Sequence, residues 1–277
     1  MADQEHRAAR IRALIMDRRH RCLVLQRTGA PPDSWELPAA EVPWPDRPLQ
    51  ALKAVLSRSL GLELRGPTGS CVLPDGASPR DFAFLLAEPP DLRPDPGVVA
   101  ATRWVPVGQL AAALADAAER EVAWRIYVEA MLGGHEPPRR NIDAFYFGNT
   151  PELAAKLAHL VVKGRKRATS GWIEALERAG EPLPEPGTLW VVTDYFGYPQ
   201  CLIETVEVRR VPFGDVAEDI ARGEGEGDLT YADWREVHVR YFEAEAAELG
   251  LKFSDHSLVL NEIFRVIRVL GVADPAG

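Results

Sequence analysis

Residues 141–172 read NIDAFYFGNTPELAAKLAHLVVKGRKRATSGW, and their punctuation is that of one helix set between other elements. Thr150 precedes Pro151, an N-cap hydroxyl followed by a residue whose fixed φ and missing N–H suit a first helical position. Leu153, Leu157, Leu160 and Val161 then recur at helical spacing and make one apolar stripe. Gly164 supplies the stop, and the carbonyl end of the helix dipole favours the cations of KGRKR. A solvated helix end accounts for those cations on spacing alone. Beyond them, Thr169 or Ser170 is placed to cap a helix over WIEALERAG.

Just upstream, GGHEPPRRN at 133–141 pairs glycines and prolines behind a helical run, which marks a domain seam. The expected organisation is a first domain over 1–134, a linker over 135–141 and a second domain over 142–277. A chain of 277 residues, 46% hydrophobic and 26% charged, is long enough for two cores and too apolar to be largely disordered. It carries 18 basic and 18 acidic residues through Asn141 but 14 and 23 beyond, so the net charge of −9 belongs to the second half. That excludes a broad basic grip on bulk nucleic acid and leaves room for a local cationic patch. No apolar run is long enough to span a membrane, and MADQEHRAAR lacks the apolar core of a secretory signal, so a cytoplasmic location is expected. Cys22, Cys71 and Cys201 lie far apart without CxxC spacing, and neither a disulfide framework nor a zinc site is expected.

The fold class that the pattern predicts is α+β. In the first half IRALIMD and RCLVLQR read as a hairpin, FAFLLAE and TRWVPV as further strands, and 51–60 and 109–132 as helices. With WELPAAEV before the first helix, LGLEL at its end and RWVPVGQL near the close, this half resembles the Nudix hydrolase fold, an α/β/α sandwich. The Nudix box runs GX5EX7REUXEEXGU, where U is aliphatic. Gly61 and Leu62 match its final pair and Leu56 its earlier aliphatic place. The opening glycine falls on Ala40, the first acid on Asp46, the RE pair on Ala54 and Val55, and the EE pair on Arg58 and Ser59. The resemblance implies divalent metals held against a diphosphate by helix glutamates, and an arginine in such a place repels the ion. It therefore implies a fold kept without its catalysis and no metal in the box. The half would then bind a nucleotide-like effector, orient a substrate or form a dimer. A displaced metal site built from Asp33, Glu36, Glu41 and Asp46 is the alternative.

In the second half GTLWVVTDYFGYPQCLIETVEVRRVPF reads as two strands around an aromatic turn, and SLVLNEIFRVIRVL as a closing strand. Thr230 and Asp233 form a capping pair for a helix that carries Tyr231, Trp234, His238 and Tyr241 as a core-facing stripe. GRKRATS, PQCLIETVEV and GEGEGDLTYADWREVH, in that order, resemble the ASCH domain over residues 142–270. That domain is a PUA-like β-barrel with flanking helices. The resemblance implies RNA or a modified nucleoside as partner. It also implies two hydrolytic precedents, one removing the acyl group of N4-acetylcytidine with a Lys, a Thr and a Glu, the other a metal-dependent ribonuclease.

Carried onto this chain, the amide chemistry falls on Lys166, Thr169 and Glu226, with Glu224 in place of Glu226 in another register. Lys166 and Thr169 are three apart, so one turn of helix would point both into a single cleft. A desolvated lysine beside Arg165 and Arg167 would give up its proton more easily, take that of Thr169 and leave the hydroxyl to attack an amide carbonyl. The glutamate would orient the lysine or protonate the leaving amine, and no cofactor is required. A ribonuclease would set Lys166 on a phosphate and a divalent metal on Glu204, Glu224, Glu226 or Asp228. A nonenzymatic reader would use the same cleft for binding alone. In each case Lys163, Arg165, Arg167, Ser170, Glu204, Trp234, Arg235 and His238 are the candidate ligand-binding side chains.

Overall fold

The computed structural model of the chain describes residues 8–43, 47–71, 81–132, 143–181 and 183–270. The expected linker at 135–141 and the candidate ligand Asp46 lie outside the described residues. Two compact units emerge, one drawn mainly from Met1–Ile142 and the other from Asp143–Tyr195 with Gln200–Gly271.

The first unit contains β1 (Ala8–Met16), β2 (Arg21–Arg27), β3 (Trp35–Glu36), β4 (Ala39–Pro43), α1 (Pro48–Leu60), β5 (Gly69–Cys71), β6 (Asp81–Leu85), β7 (Val99–Pro106), α2 (Leu110–Ala113) and α3 (Ala117–Leu132). Its seven strands form one sheet, β3-β2-β1-β6-β5 in order, with β4 paired to β1 and β7 to β2. Side chains alternate across β1. Ile11, Ala13 and Ile15 join a core with Leu52, Leu56 and Leu60 of α1, whereas Arg10 and Arg12 reach Glu119 at the start of α3. The sheet is thus covered by a helix on each face, the expected α/β/α arrangement. The helix expected over 109–132 is in fact two. α2 stops where the backbone of Leu114 turns extended and its side chain enters the core, and Asp116 restarts the helix by accepting from the Ala118 N–H.

The second unit contains β8 (Asp143–Phe145), α4 (Pro151–Val162), β9 (Ala168–Trp172), α5 (Ile173–Ala179), β10 (Leu189–Thr193), β11 (Pro199–Pro212), α6 (Glu218–Glu224), α7 (Tyr231–Leu249) and β12 (Leu258–Val269). Its five-stranded sheet runs β8-β10-β11-β12-β9, with helices flanking it. Thr150 caps α4 by accepting from the Leu153 N–H, and Gly164 takes the left-handed conformation that stops it, at φ +68°. Thr230 caps α7 through the Asp233 N–H. Thr169 and Ser170 are not caps. They lie inside β9, paired with Glu262 and Asn261 of β12, and α5 begins at Trp172 without a side-chain cap. Long-range strand pairing has overridden the local capping preference.

Phe213 anchors the core between the sheet and α7. It is fully buried, stacks on Trp234 with centroids 5.6 Å apart, and meets Phe242 and Phe253 edge-on. Phe213→Ala should remove about 3–5 kcal/mol from the stability of this unit. Urea unfolding followed by tryptophan fluorescence measures it, and a loss below about 1 kcal/mol would show that these rings are not packed as described.

Candidate functional site

The site forms where the segment after α4 meets the end of α6. Glu224 closes α6, and Gly225 turns the chain at φ +68°, where an added Cβ would fall 2.4 Å from the Arg165 carbonyl oxygen. Gly227 also has positive φ, and a Cβ there would strike the Asp233 carboxylate. Backbone contact admits only glycine at 225, and positive φ favours it at 227. The Arg167 N–H donates to the Gly223 carbonyl at 2.6 Å, which completes the close approach of the two segments. The glycines of GEGEGD therefore act by pressing one backbone against another, and both acids come within reach of Lys166.

Lys166 is 1% exposed, although it is a lysine in a basic run. Its Nζ donates to Glu226 Oε1 at 2.5 Å and to Glu224 Oε2 at 3.3 Å, and it lies 5.0 Å from the centroid of the Phe147 ring. Two carboxylates and a π-face surround the ammonium. Glu224 is itself 2% exposed. Its Oε1 accepts from Ser170 Oγ at 2.7 Å and from Trp234 Nε1 at 2.9 Å, and faces His238 Nε2 at 3.4 Å. Asn261 Nδ2 in turn donates to Ser170 Oγ at 2.8 Å. Burial alone would raise the Glu224 carboxyl, but the Lys166 charge and the donors around it prevail and hold it down at about 2. For His238, burial works downward and is outweighed by Glu224 on one nitrogen and the Trp234 carbonyl, 2.8 Å from the other, so its pKa is raised.

Glu226 differs from Glu224. Its side chain is 33% exposed, and among the described residues only Oε1 accepts a hydrogen bond. Lys163, Arg165 and Arg167 are exposed around the buried lysine, and Arg167 Nε donates to the Gly164 carbonyl at 2.6 Å.

Several expected members stand elsewhere. Thr169 and Lys166 share no turn of helix, because residues 168–172 are a strand with period two, and Ser170 rather than Thr169 bonds Glu224. The Thr169 hydroxyl makes no hydrogen bond among the described residues. Glu204 on β11 is held by Arg265 at 2.6 Å, and Arg235 by Asp255 at 2.6 Å while it lies over the Phe213 ring. Asp228 accepts from both the N–H and the hydroxyl of Thr230. These commitments do not suit a divalent ion. Glu224 already has a full set of donors, Asp228 serves a turn, and a cation at Glu224 and Glu226 would have to displace Lys166.

The sequence reading passed over Phe147, Thr205, Asn261 and Glu262. Thr205 Oγ1 donates to Glu262 Oε1 beneath the sheet. The adjacent Asn and Glu inside the apolar run SLVLNEIFRVI were the available signal, since buried polar residues in a strand need partners.

In the first unit Glu36 and Glu41 are taken up by arginines. Glu36 pairs with Arg10 at 2.7 Å and Arg27 at 2.5 Å, and Glu41 pairs with the same two at 3.0 and 3.3 Å. Asp33 is exposed. On α1 Arg58 is exposed and Ser59 is buried. A cavity of about 140 Å³ beside them is lined by Arg27, Glu41, Val55, Leu56 and Ser59 among others. It falls short of the roughly 300–1,000 Å³ of ordinary ligand pockets, so a nucleotide would have to widen it. No helix of the described residues is long and apolar enough to cross a membrane.

Known proteins similar to this chain are of two kinds. The ASCH domain pattern matches residues 143–268. An ASCH domain structure from Lactobacillus crispatus is 37% identical, covers 46% of this chain and 79% of its own, and has a TM-score of 0.44. A structure from Enterococcus faecalis is 31% identical, covers 54% of this chain and 88% of its own, and has a TM-score of 0.47. A MutT NUDIX hydrolase structure from Burkholderia pseudomallei is 24% identical and covers 35% and 81%, with a TM-score of 0.28. No curated protein gives a significant match.

The buried charges make stability depend on pH in two windows. Glu224, depressed from 4.5, contributes stability that is present above 4.5 and lost as pH falls towards 2. His238, raised from 6.5, contributes stability that is present below 6.5 and lost as pH rises through its higher folded value. Melting temperatures across pH should decline on both sides, and His238→Gln should flatten the alkaline decline and, because His238 also helps to hold Glu224 down, weaken the acid one. An unchanged alkaline limb in that variant would remove His238 from the account.

Proposed function

Because the chain belongs to the ASCH domain family through residues 143–268, we propose that its second unit recognises RNA or a modified nucleoside at the Lys166–Glu226 pair. One observation carries this reading: Glu226 is fixed by a buried ammonium, yet its side chain is 33% exposed and its second oxygen accepts no hydrogen bond among the described residues. A fixed carboxylate acceptor suits the N4–H of cytosine and its N4-acylated form, since carboxylates pair with that donor. Around it, Lys163, Arg165 and Arg167 have no ion-pair partner among the described residues and suit backbone phosphate. The acidic remainder of the unit then disfavours bulk nucleic acid and leaves affinity to the local patch. The first unit, Nudix-like in fold with arginines on its carboxylates, serves as a silent partner domain in this reading.

A second reading, hydrolysis of the N4-acyl amide, has its own support in Thr169, a partly exposed hydroxyl on β9 with no hydrogen bond of its own. The metal-dependent ribonuclease reading is weaker, because its carboxylates are committed to Lys166 and Thr230.

Calorimetry with cytidine, N4-acetylcytidine and uridine, and with short single-stranded RNA, tests recognition. Glu226→Gln should weaken the cytosine ligands about tenfold and leave uridine unchanged, as the loss of one base-edge contact does. Equal binding of all ligands by both proteins would end the proposal. Mass spectrometry of the same mixtures should show cytidine released from N4-acetylcytidine whether or not EDTA is present, and release abolished by EDTA would return the metal to consideration.

A further inference from the structure

The two polar residues at the middle of β12 point to opposite faces of the sheet. Asn261 serves the Ser170–Glu224 side, and Glu262 turns the other way. Directly across from Glu262 in the antiparallel register is Thr169, so both side chains stand on one face with Cβ atoms roughly 5 Å apart. Glu262 is 5% exposed, and Oε1 accepts from Thr205. No hydrogen bond among the described residues engages its second oxygen. A further donor, the buried Trp190 indole N–H, influences the same carboxyl without completing a hydrogen bond. Phe264, two residues on, lies on this face and stacks on Phe147, the ring beneath the Lys166 ammonium.

This arrangement separates duties that the sequence had joined in Lys166. The ammonium already donates to two carboxylates and is held as an ion pair. Strand pairing instead sets Glu262 directly across from Thr169, whose hydroxyl makes no hydrogen bond among the described residues. We infer that Glu262 is the catalytic base for Thr169 in hydrolysis of an N-acyl amide, an inference that rests on the hydrolytic reading above.

In the first step the Thr169 oxygen bonds to the acyl carbon as its proton passes to Glu262. The C–N bond then breaks, and Glu262 returns the proton to the departing amine, which leaves an acyl ester on Thr169. Water attacks that ester and gives a proton to Glu262. The C–O bond breaks, the proton returns to Thr169, and the free acid departs. One water is consumed and no oxidant or metal is needed. Burial raises the Glu262 carboxyl against the opposing Thr205 bond, which makes its anion a stronger base than an exposed glutamate.

The test is steady-state hydrolysis of N4-acetylcytidine by the full chain against pH, for wild type, Glu262→Gln, Thr169→Ala and Thr169→Ser. Glutamine keeps the shape and the bond to Thr205, so a folded variant is expected and its melting curve checks it. Glu262→Gln should lower kcat about 100-fold or more with KM unchanged, and abolish the acid limb seen as wild-type pH falls through the raised carboxyl value. Thr169→Ser should keep activity and Thr169→Ala should lose it. Full kcat with an unchanged acid limb in Glu262→Gln, beside an inactive Thr169→Ala, would overturn the inference and leave the hydrolytic reading standing. A wild type that releases no cytidine removes that reading and the inference together, and cytidine binding by Glu226→Gln still decides recognition separately.

Discussion

The second unit is organised by the need to bury one ammonium. Moving a lysine charge out of water costs several kcal/mol even after relaxation, and only close, well-placed anions offset it. Lys166 meets that cost with Glu224 and Glu226, but Glu224 is buried as well and raises the same demand again. Ser170, Trp234 and His238 answer it from β9 and α7, and Asn261 satisfies Ser170 from β12. Each group is placed by the requirement of the one before. The network thereby ties two helices and two strands to one charge, and a partly satisfied version would be worse than an apolar core.

Such a network constrains sequence far from the charged atoms. The acids reach Lys166 only because the chain after α6 lies against the Arg165 backbone, and that contact admits no Cβ at residue 225. The composition of GEGEGD is thus explained by packing before chemistry enters. Charge then divides the two acids. Glu224, with donors on both oxygens, is a structural anion, whereas Glu226 accepts through one oxygen alone among the described residues.

What was legible in the sequence was local. The Thr150 and Thr230 caps, the left-handed Gly164 and the β1–β2 hairpin follow from residues a few positions apart, and each is where its pattern put it. The failures share a cause. Thr169 and Ser170 have good capping chemistry, but β12 lies alongside them, and a partner some ninety residues away cannot be seen in a seven-residue window. The same strand changes the period from 3.6 to 2, which sends Thr169 and Ser170 to opposite faces. Glu36 and Glu41 have the look of metal ligands until Arg10 and Arg27 are brought over them by the sheet.

The two units solve the problem of clustered carboxylates in one way. Each supplies a covalently attached cation where a mobile divalent ion would otherwise be the natural counter-charge. A guanidinium or ammonium cannot dissociate, so carboxylates gathered around it are neutralised permanently and lose the exchangeable Lewis acid. In the first unit Arg10 and Arg27 bracket Glu36 and Glu41, and the adjoining cavity is small. In the second, two carboxylate oxygens accept no hydrogen bond among the described residues, the second oxygen of Glu226 and that of Glu262 across from Thr169. A satisfied polar network holds its geometry without a ligand, and the groups it leaves unsatisfied are where a ligand gains most by binding. That asymmetry, more than the number of charged residues, sets the two units apart.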